Sequence, residues 1–274
     1  MYPLKGFLVI LFLNFYPTES THFRGGSLSI SPFDASSKQN NVTIKLFTYF
    51  AWRRNYDNTT HCDDEIINDQ THFAPNLNIL CDLGCDHSPN EIIANTSIIC
   101  TSFSDTDNWS LGQNNFAYTL SLNRSIEISF KGNFWIELAH LDTNRHNAYW
   151  ELRAKYSTFI RNDTNRLNTS PITLVPPIFR LEKGKEHLIR IPTVDLDDDL
   201  VKCRWSQAEH NECASICQSL KNIAELNSEE CNLKFNAVNA TLGWYAVAIQ
   251  IEDFNKLNNS MPMSSVYVLK IKLL

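Results

Sequence analysis

The stretch that decides the fold is Cys213-Ala214-Ser215-Ile216-Cys217, followed after thirteen residues by Cys231 and eight positions later by Asn239-Ala240-Thr241-Leu242-Gly243. An earlier stretch has the same order: Cys81-Asp82-Leu83-Gly84-Cys85, fourteen residues, Cys100, and eight positions on Asn108-Trp109-Ser110-Leu111-Gly112. Two cysteine spacings, a glycosylation sequon and a Leu-Gly pair thus recur about 131 residues apart. The pattern reads as an internal duplication, and in a chain of 274 residues each copy is long enough to bury a core of its own.

The composition agrees with folded domains, at 43% hydrophobic and 11% aromatic residues. A formal net charge of -6 with no basic stripe excludes a phosphate-binding surface, so nucleic acid is not an expected partner. Residues 1–20 have a signal peptide's order: Lys5, the apolar run Gly6 to Leu13, then Pro17-Thr18-Glu19-Ser20. That run is shorter than the ~20 residues that span a bilayer, and no later segment is longer and apolar. The mature chain is therefore expected to be secreted or extracellular, without a membrane span.

Eight cysteines, four in each half, suit an oxidising compartment. Cys62, Cys81, Cys85 and Cys100 are expected to pair among themselves, as are Cys203, Cys213, Cys217 and Cys231. Four cysteines allow three connectivities, and the spacing does not choose among them. Zinc is disfavoured, because His61 and His87 have no counterparts in the second copy and no Cys-X2-Cys pair occurs. Nine sequons are expected to carry glycans that keep a β-rich surface soluble: Asn41, Asn58, Asn95, Asn108, Asn123, Asn162, Asn168, Asn239 and Asn258.

Between these landmarks the chain alternates with a period of two. Ser27–Ser31, Val42–Phe50, Phe116–Leu122, Ser125–Phe130, Asn133–Leu138 and Tyr149–Tyr156 are predicted strands of the first half. Residues 57–97 lack sustained periodicity and read as a disulfide-stapled loop region. Asn168 to Pro177, with three prolines, reads as an interdomain linker, and the boundary is placed at Ser170. In the second half Glu186–Pro192, Gly243–Asp253 and Val266–Leu274 are predicted strands. Ile189 and Ile191 share a face with His187, opposite Leu188 and Arg190.

The acidic turn running from Val194 into Trp205, with the strand Gly243-Trp244-Tyr245-Ala246-Val247-Ala248-Ile249-Gln250-Ile251-Glu252-Asp253, resembles the immunoglobulin-like, cadherin-like and polycystic-kidney-disease-like sandwiches of extracellular repeat proteins. The resemblance spans residues 176–274. It implies an all-β fold of two tandem disulfide-stapled antiparallel β-sandwich (Ig-like) domains, internally duplicated, over residues 21–170 and 171–274. It also implies calcium between domains, a role for Asp195, Asp197 and Asp199 of the acidic turn together with Asp253. Closely spaced aspartates can supply the oxygen ligands a hard cation takes, and they can equally cap the backbone of their own turn.

Catalytic patterns are missing: there is no Gly-X-Ser-X-Gly elbow, no His-Glu-X-X-His and no phosphate-binding glycine loop. The expected role is binding of an extracellular protein or cell-surface partner, not catalysis. A spacer within a larger matrix or membrane protein is the alternative, with a secreted hydrolase a distant third. Trp52-Arg53-Arg54 is the other surface candidate, although arginine stems beside a tryptophan commonly pack over its ring.

Overall fold

The structure is a computed structural model that describes residues 23–33, 40–75, 77–133, 135–139, 148–217, 220, 222–255 and 263–274, with the backbone alone for 263–270. The expected signal peptide and Asn258 lie outside the described residues.

The first half is built from β1 (Phe23–Pro32), β2 (Asn41–Trp52), a five-residue helix (Asp64–Asn68), β3 (His72–Phe73), β4 (Asn78–Leu83), β5 (Glu91–Asn95), β6 (Ile98–Ser104), β7 (Trp109–Ser121), β8 (Ser125–Gly132) and β9 (Trp150–Ser157). Period-two alternation explains the long strands. In β2, Val42, Ile44, Leu46 and Phe50 are buried while Thr43, Lys45 and Phe47 are half-exposed. One layer runs β3-β6-β7-β2-β1 and the other β9-β8-β4-β5, with antiparallel neighbours throughout. In immunoglobulin letters these are A-B-E-D and G-F-C-C′, with β3 added outside D.

Between the layers lies an aromatic core. Phe23, Phe50 and Trp52 face Phe130 and Trp150, with ring centroids 4.9 Å apart for Phe50 and Phe130 and 5.1 Å for Phe23 and Trp150. Such pairs contribute about 0.5–1.5 kcal/mol each beyond their buried area.

The second half comprises β10 (Ile172–Thr173), β11 (Ile178–Leu181), β12 (Glu186–Arg190), β13 (Thr193–Val194), β14 (Leu200–Trp205), β15 (Ala224–Asn227), β16 (Asn232–Asn236), β17 (Gly243–Phe254) and β18 (Met263–Leu273). Strands β12-β16-β15 form one layer, in the order B-E-D. The other is β11-β18-β17-β14, in the order A′-G-F-C, with β11 parallel to β18. Ile189, Leu233 and Phe235 of the first layer pack on Tyr245, Val247, Ile249 and Ile251 of β17. Both halves are thus Ig-like sandwiches with the same B-E-D and G-F-C orders.

The stretches that suggested the repeat do not occupy equivalent places. Cys81 lies on the C strand β4, whereas Cys213 follows its counterpart β14 by eight residues. Asn108 immediately precedes the E strand β7, whereas Asn239 follows the E strand β16. The cysteines that do share a strand position are Cys81 and Cys203, 122 residues apart.

The disulfides are Cys62–Cys100 enclosing Cys81–Cys85, and Cys203–Cys231 enclosing Cys213–Cys217, and no free cysteine is found among the described residues. The same nested connectivity occurs in both halves. Cys203–Cys231 links β14 to the turn ahead of β16, and so crosses from one layer of the second sandwich to the other.

Three expectations are corrected. Residues 57–97 are not a loop region, since they hold the short helix, β3, β4 and β5, and β4 and β5 set apolar residues side by side so that no period of two registers. Residues 133 and 135–138 form no strand. Trp135 turns into the core and donates its Nε1–H to the Tyr149 carbonyl at 3.1 Å, and only Leu138 makes an isolated bridge, to Trp244. The stretch read as a linker is packed: residues 167–171 are buried, the Ser170 amide donates to the Ile30 carbonyl at 3.1 Å, and β10 pairs with β13.

The two sandwiches share a wall. Along one edge β18 pairs with β17, and along its other edge it pairs in turn with β9 (Ser264 with Lys155), β1 (Val266–Val268 with Leu28–Gly26) and β11. Alternate residues of β17 serve the two cores: Ala246 and Ala248 pack in the first, Val247 and Ile249 in the second. The Cys213–Cys217 loop also reaches across, burying Cys213 and Ile216 in the first core.

Candidate metal centre

Three segments converge on the acidic turn. The turn itself, Asp195 to Asp199, connects β13 to β14, and Asp198 adopts a left-handed φ of 59° to close it. Asp195 caps the turn, its Oδ1 accepting the amide hydrogens of Asp197 and Asp199 at 2.9 Å each. The second segment is the end of β17, which delivers Asp253. The third is residues 161–169, which follow β9 and supply Arg161, Asp163 and Asn168.

Asp195, Asp199 and Asp253 each place a carboxylate oxygen within 4.8 Å of the others. Asp253 is 3% exposed. Its Oδ2 accepts a hydrogen bond from the Asn168 side-chain amide, and its Oδ1 has no hydrogen-bond partner among the described residues. Asp195 Oδ2 is likewise buried without a partner. Arg161 grips Asp199 through both terminal nitrogens, at 2.8 Å for Nη2 to Oδ1, and holds Asp163 through Nε at 3.0 Å and Nη2 at 2.8 Å.

These contacts set the charge states. Burial pushes the Asp253 carboxyl up to about 7, against the lowering effect of the Asn168 bond and with the Asp195 charge adding to the rise. Burial also raises Asp195, outweighing its two amide hydrogen bonds. Bonds to Asp199, the largest influence, raise the Arg161 guanidinium above its usual value and keep it charged.

The structure therefore brings together three of the four aspartates expected from the sequence. Asp197 stands apart, its Oδ2 accepting the Thr169 amide at 2.5 Å. Arg161, Asp163 and Asn168 were missed as site residues: they lie tens of residues away from the acidic turn in sequence, and Asn168 read as a sequon. The Asn168 expectation is corrected accordingly. Asn168 is 5% exposed and its nitrogen is bound to Asp253 and to the Thr169 carbonyl, which leaves no room for a glycan in the fold. Asn41, Asn58, Asn123, Asn162 and Asn239 are exposed, and Asn95 and Asn108 are half-buried.

The Trp52-Arg53-Arg54 segment presents no open cationic surface. Trp52 is fully buried, and Arg54 bonds the Cys62 carbonyl at 2.6 Å and Asp105 at 2.5 Å, with its guanidinium 4.8 Å from the Phe103 ring. Arg53 bonds Asn55 at 3.1 Å. Among the described residues no helix is long and apolar enough to cross a membrane.

Fold and disulfides define the chain as a tandem of stapled Ig-like sandwiches. The first of them, over residues 24–157, matches the profile of a family described as Integrin beta-like protein A-E, N-terminal, and the match ends with β9. No curated protein sequence matches the chain. Among solved structures, the chain is similar to the two tandem V-type regions of VCBP3, a v-region-containing chitin binding protein. That pair is 9% identical over 90% of this chain and 99% of the other, with a TM-score of 0.34. The mouse nectin-like molecule 4 ectodomain is 9% identical over 91% of this chain and 65% of its own, with a TM-score of 0.21.

Proposed function

We propose that the chain is an extracellular binding unit of adhesion type, with residues 21–170 and 171–274 as its two modules, and that it engages a protein or cell-surface partner without catalysis. The observation that carries this reading is the shared wall: β18 pairs with strands of both sandwiches, so their loops and faces are held at a fixed spacing. A rigid pair of modules loses little freedom when it binds across both of them. Four disulfides with no free cysteine among the described residues support an oxidising, extracellular setting. The integrin-beta-like match over the first module supports adhesion as the class of role.

Residues 21–274, secreted from a eukaryotic host and coated on a surface, test the reading. Cells of the source organism are expected to attach to the folded chain and not to the same chain reduced and alkylated. Equal attachment to both surfaces, or none to either, would assign it a spacer role.

A further inference from the structure

We infer that Asp195, Asp199 and Asp253 form a calcium site that ties the acidic turn and the end of β17 to the segment leaving the first sandwich. Carboxylate clusters are common without metal, and the three aspartates alone would not carry this. The second observation is Asp253 Oδ1: it belongs to a side chain 3% exposed, its sister oxygen is bound to Asn168, and it has no partner of its own among the described residues. Asp195 repeats the arrangement, with Oδ1 taken by two backbone amides and a buried Oδ2 left over. An anionic oxygen removed from water without a partner is costly, and a cation between two such oxygens relieves both at once.

The chemistry selects the ion. Only oxygen donors are present, which suits a hard cation. Calcium accepts an irregular shell of about six to eight oxygens with bonds of about 2.3–2.6 Å, and three carboxylates within 4.8 Å of one another can supply part of it. Magnesium, with bonds of about 2.0–2.1 Å and a strict octahedron, tolerates a donor set fixed by a turn and a strand less well. Arg161 does not remove the need. It is the partner in every ion pair these aspartates make among the described residues, yet Asp163, Asp195, Asp197, Asp199 and Asp253 are five carboxylates against one guanidinium.

The site lies where the two sandwiches meet. Asn168 bonds both Asp253 and Arg161, and its carbonyl accepts the Tyr156 hydroxyl at 2.8 Å, so an ion there is linked to the core of the first sandwich. Calcium would act as a lock on the junction. This does not depend on which partner the unit binds, and a failed attachment assay would leave it standing.

The test is calorimetric titration of chelator-treated residues 21–274 with calcium chloride, repeated with magnesium chloride and with Asp195→Asn and Asp253→Asn. One saturable calcium site per chain is expected, in the ~10⁻⁴–10⁻³ M range of extracellular modules, with magnesium at least tenfold weaker. Each variant that retains the wild-type circular dichroism should bind calcium at least tenfold more weakly. Absence of saturable binding by the wild type up to about 10 mM calcium would overturn the inference, whatever the variants do. Unchanged affinity in both folded variants would overturn it as well.

Discussion

At the scale of single residues, the buried charges decide how the chain responds to pH. Glu212 is 1% exposed and receives Arg204 through Nη1 at 2.7 Å and Nη2 at 2.9 Å, together with the Gln207 amide at 3.0 Å. Burial alone would raise its carboxyl, but these bonds outweigh burial and hold it below the usual 4.5. A carboxyl lowered in the folded state stabilises the fold above its unfolded pKa, and that stabilisation is lost as pH falls through the folded value. Glu212→Gln should therefore cost about 1–3 kcal/mol near neutrality. The gap between variant and wild type should be full above the unfolded carboxyl's ordinary range and shrink as the pH falls through the lowered folded value. Urea melts across pH 3–7 measure it, and a gap that widens toward acid would refute the assignment.

At the scale of elements, strands with regular alternation were legible and short or shared ones were not. β2 and β12 follow the two-residue period because one face meets a core and the other meets water. β4 and β5 set apolar residues side by side, in Ile79-Leu80-Cys81 and Ile92-Ile93-Ala94, so no period of two shows in them. β17 could be read as a strand, but not as a wall buried on both faces, because its second neighbour is contributed by a distant part of the chain. The acidic turn was visible for the same reason that Arg161 was not: four aspartates adjoin in sequence, while their counter-cation arrives only through the fold. The Cys213–Cys217 loop is a further instance, since nothing in its spacing reveals that Ile216 is buried in the opposite sandwich. Ile216→Ala should cost about 2–4 kcal/mol. The loss should appear as earlier unfolding of the aromatic core, followed by tryptophan fluorescence, because Trp52, Trp135 and Trp150 all lie there. A change confined to the second half would contradict that packing.

At the scale of the whole molecule, the question is whether two sandwiches that share a strand can still unfold separately. β18 occupies the edge of β1 at Gly26–Leu28 and meets the edge of β9 at Lys155, edges that would be open in a lone first sandwich. The aromatic core also borrows Ile216, Ala246 and Ala248 from beyond Ser170. Removing residues 171–274 would therefore strip the first half of both an edge strand and part of its core, although its own layers remain intact. Cooperative coupling of that kind predicts one transition. Calorimetry of residues 21–274 should give a single peak whose calorimetric and van't Hoff enthalpies agree. Residues 21–170 alone should melt at a lower temperature and associate through the uncovered β1 and β9 edges as their concentration rises. Two resolved peaks, with a monomeric 21–170 fragment melting at the temperature of one of them, would mean that the shared strand joins the sandwiches without coupling them.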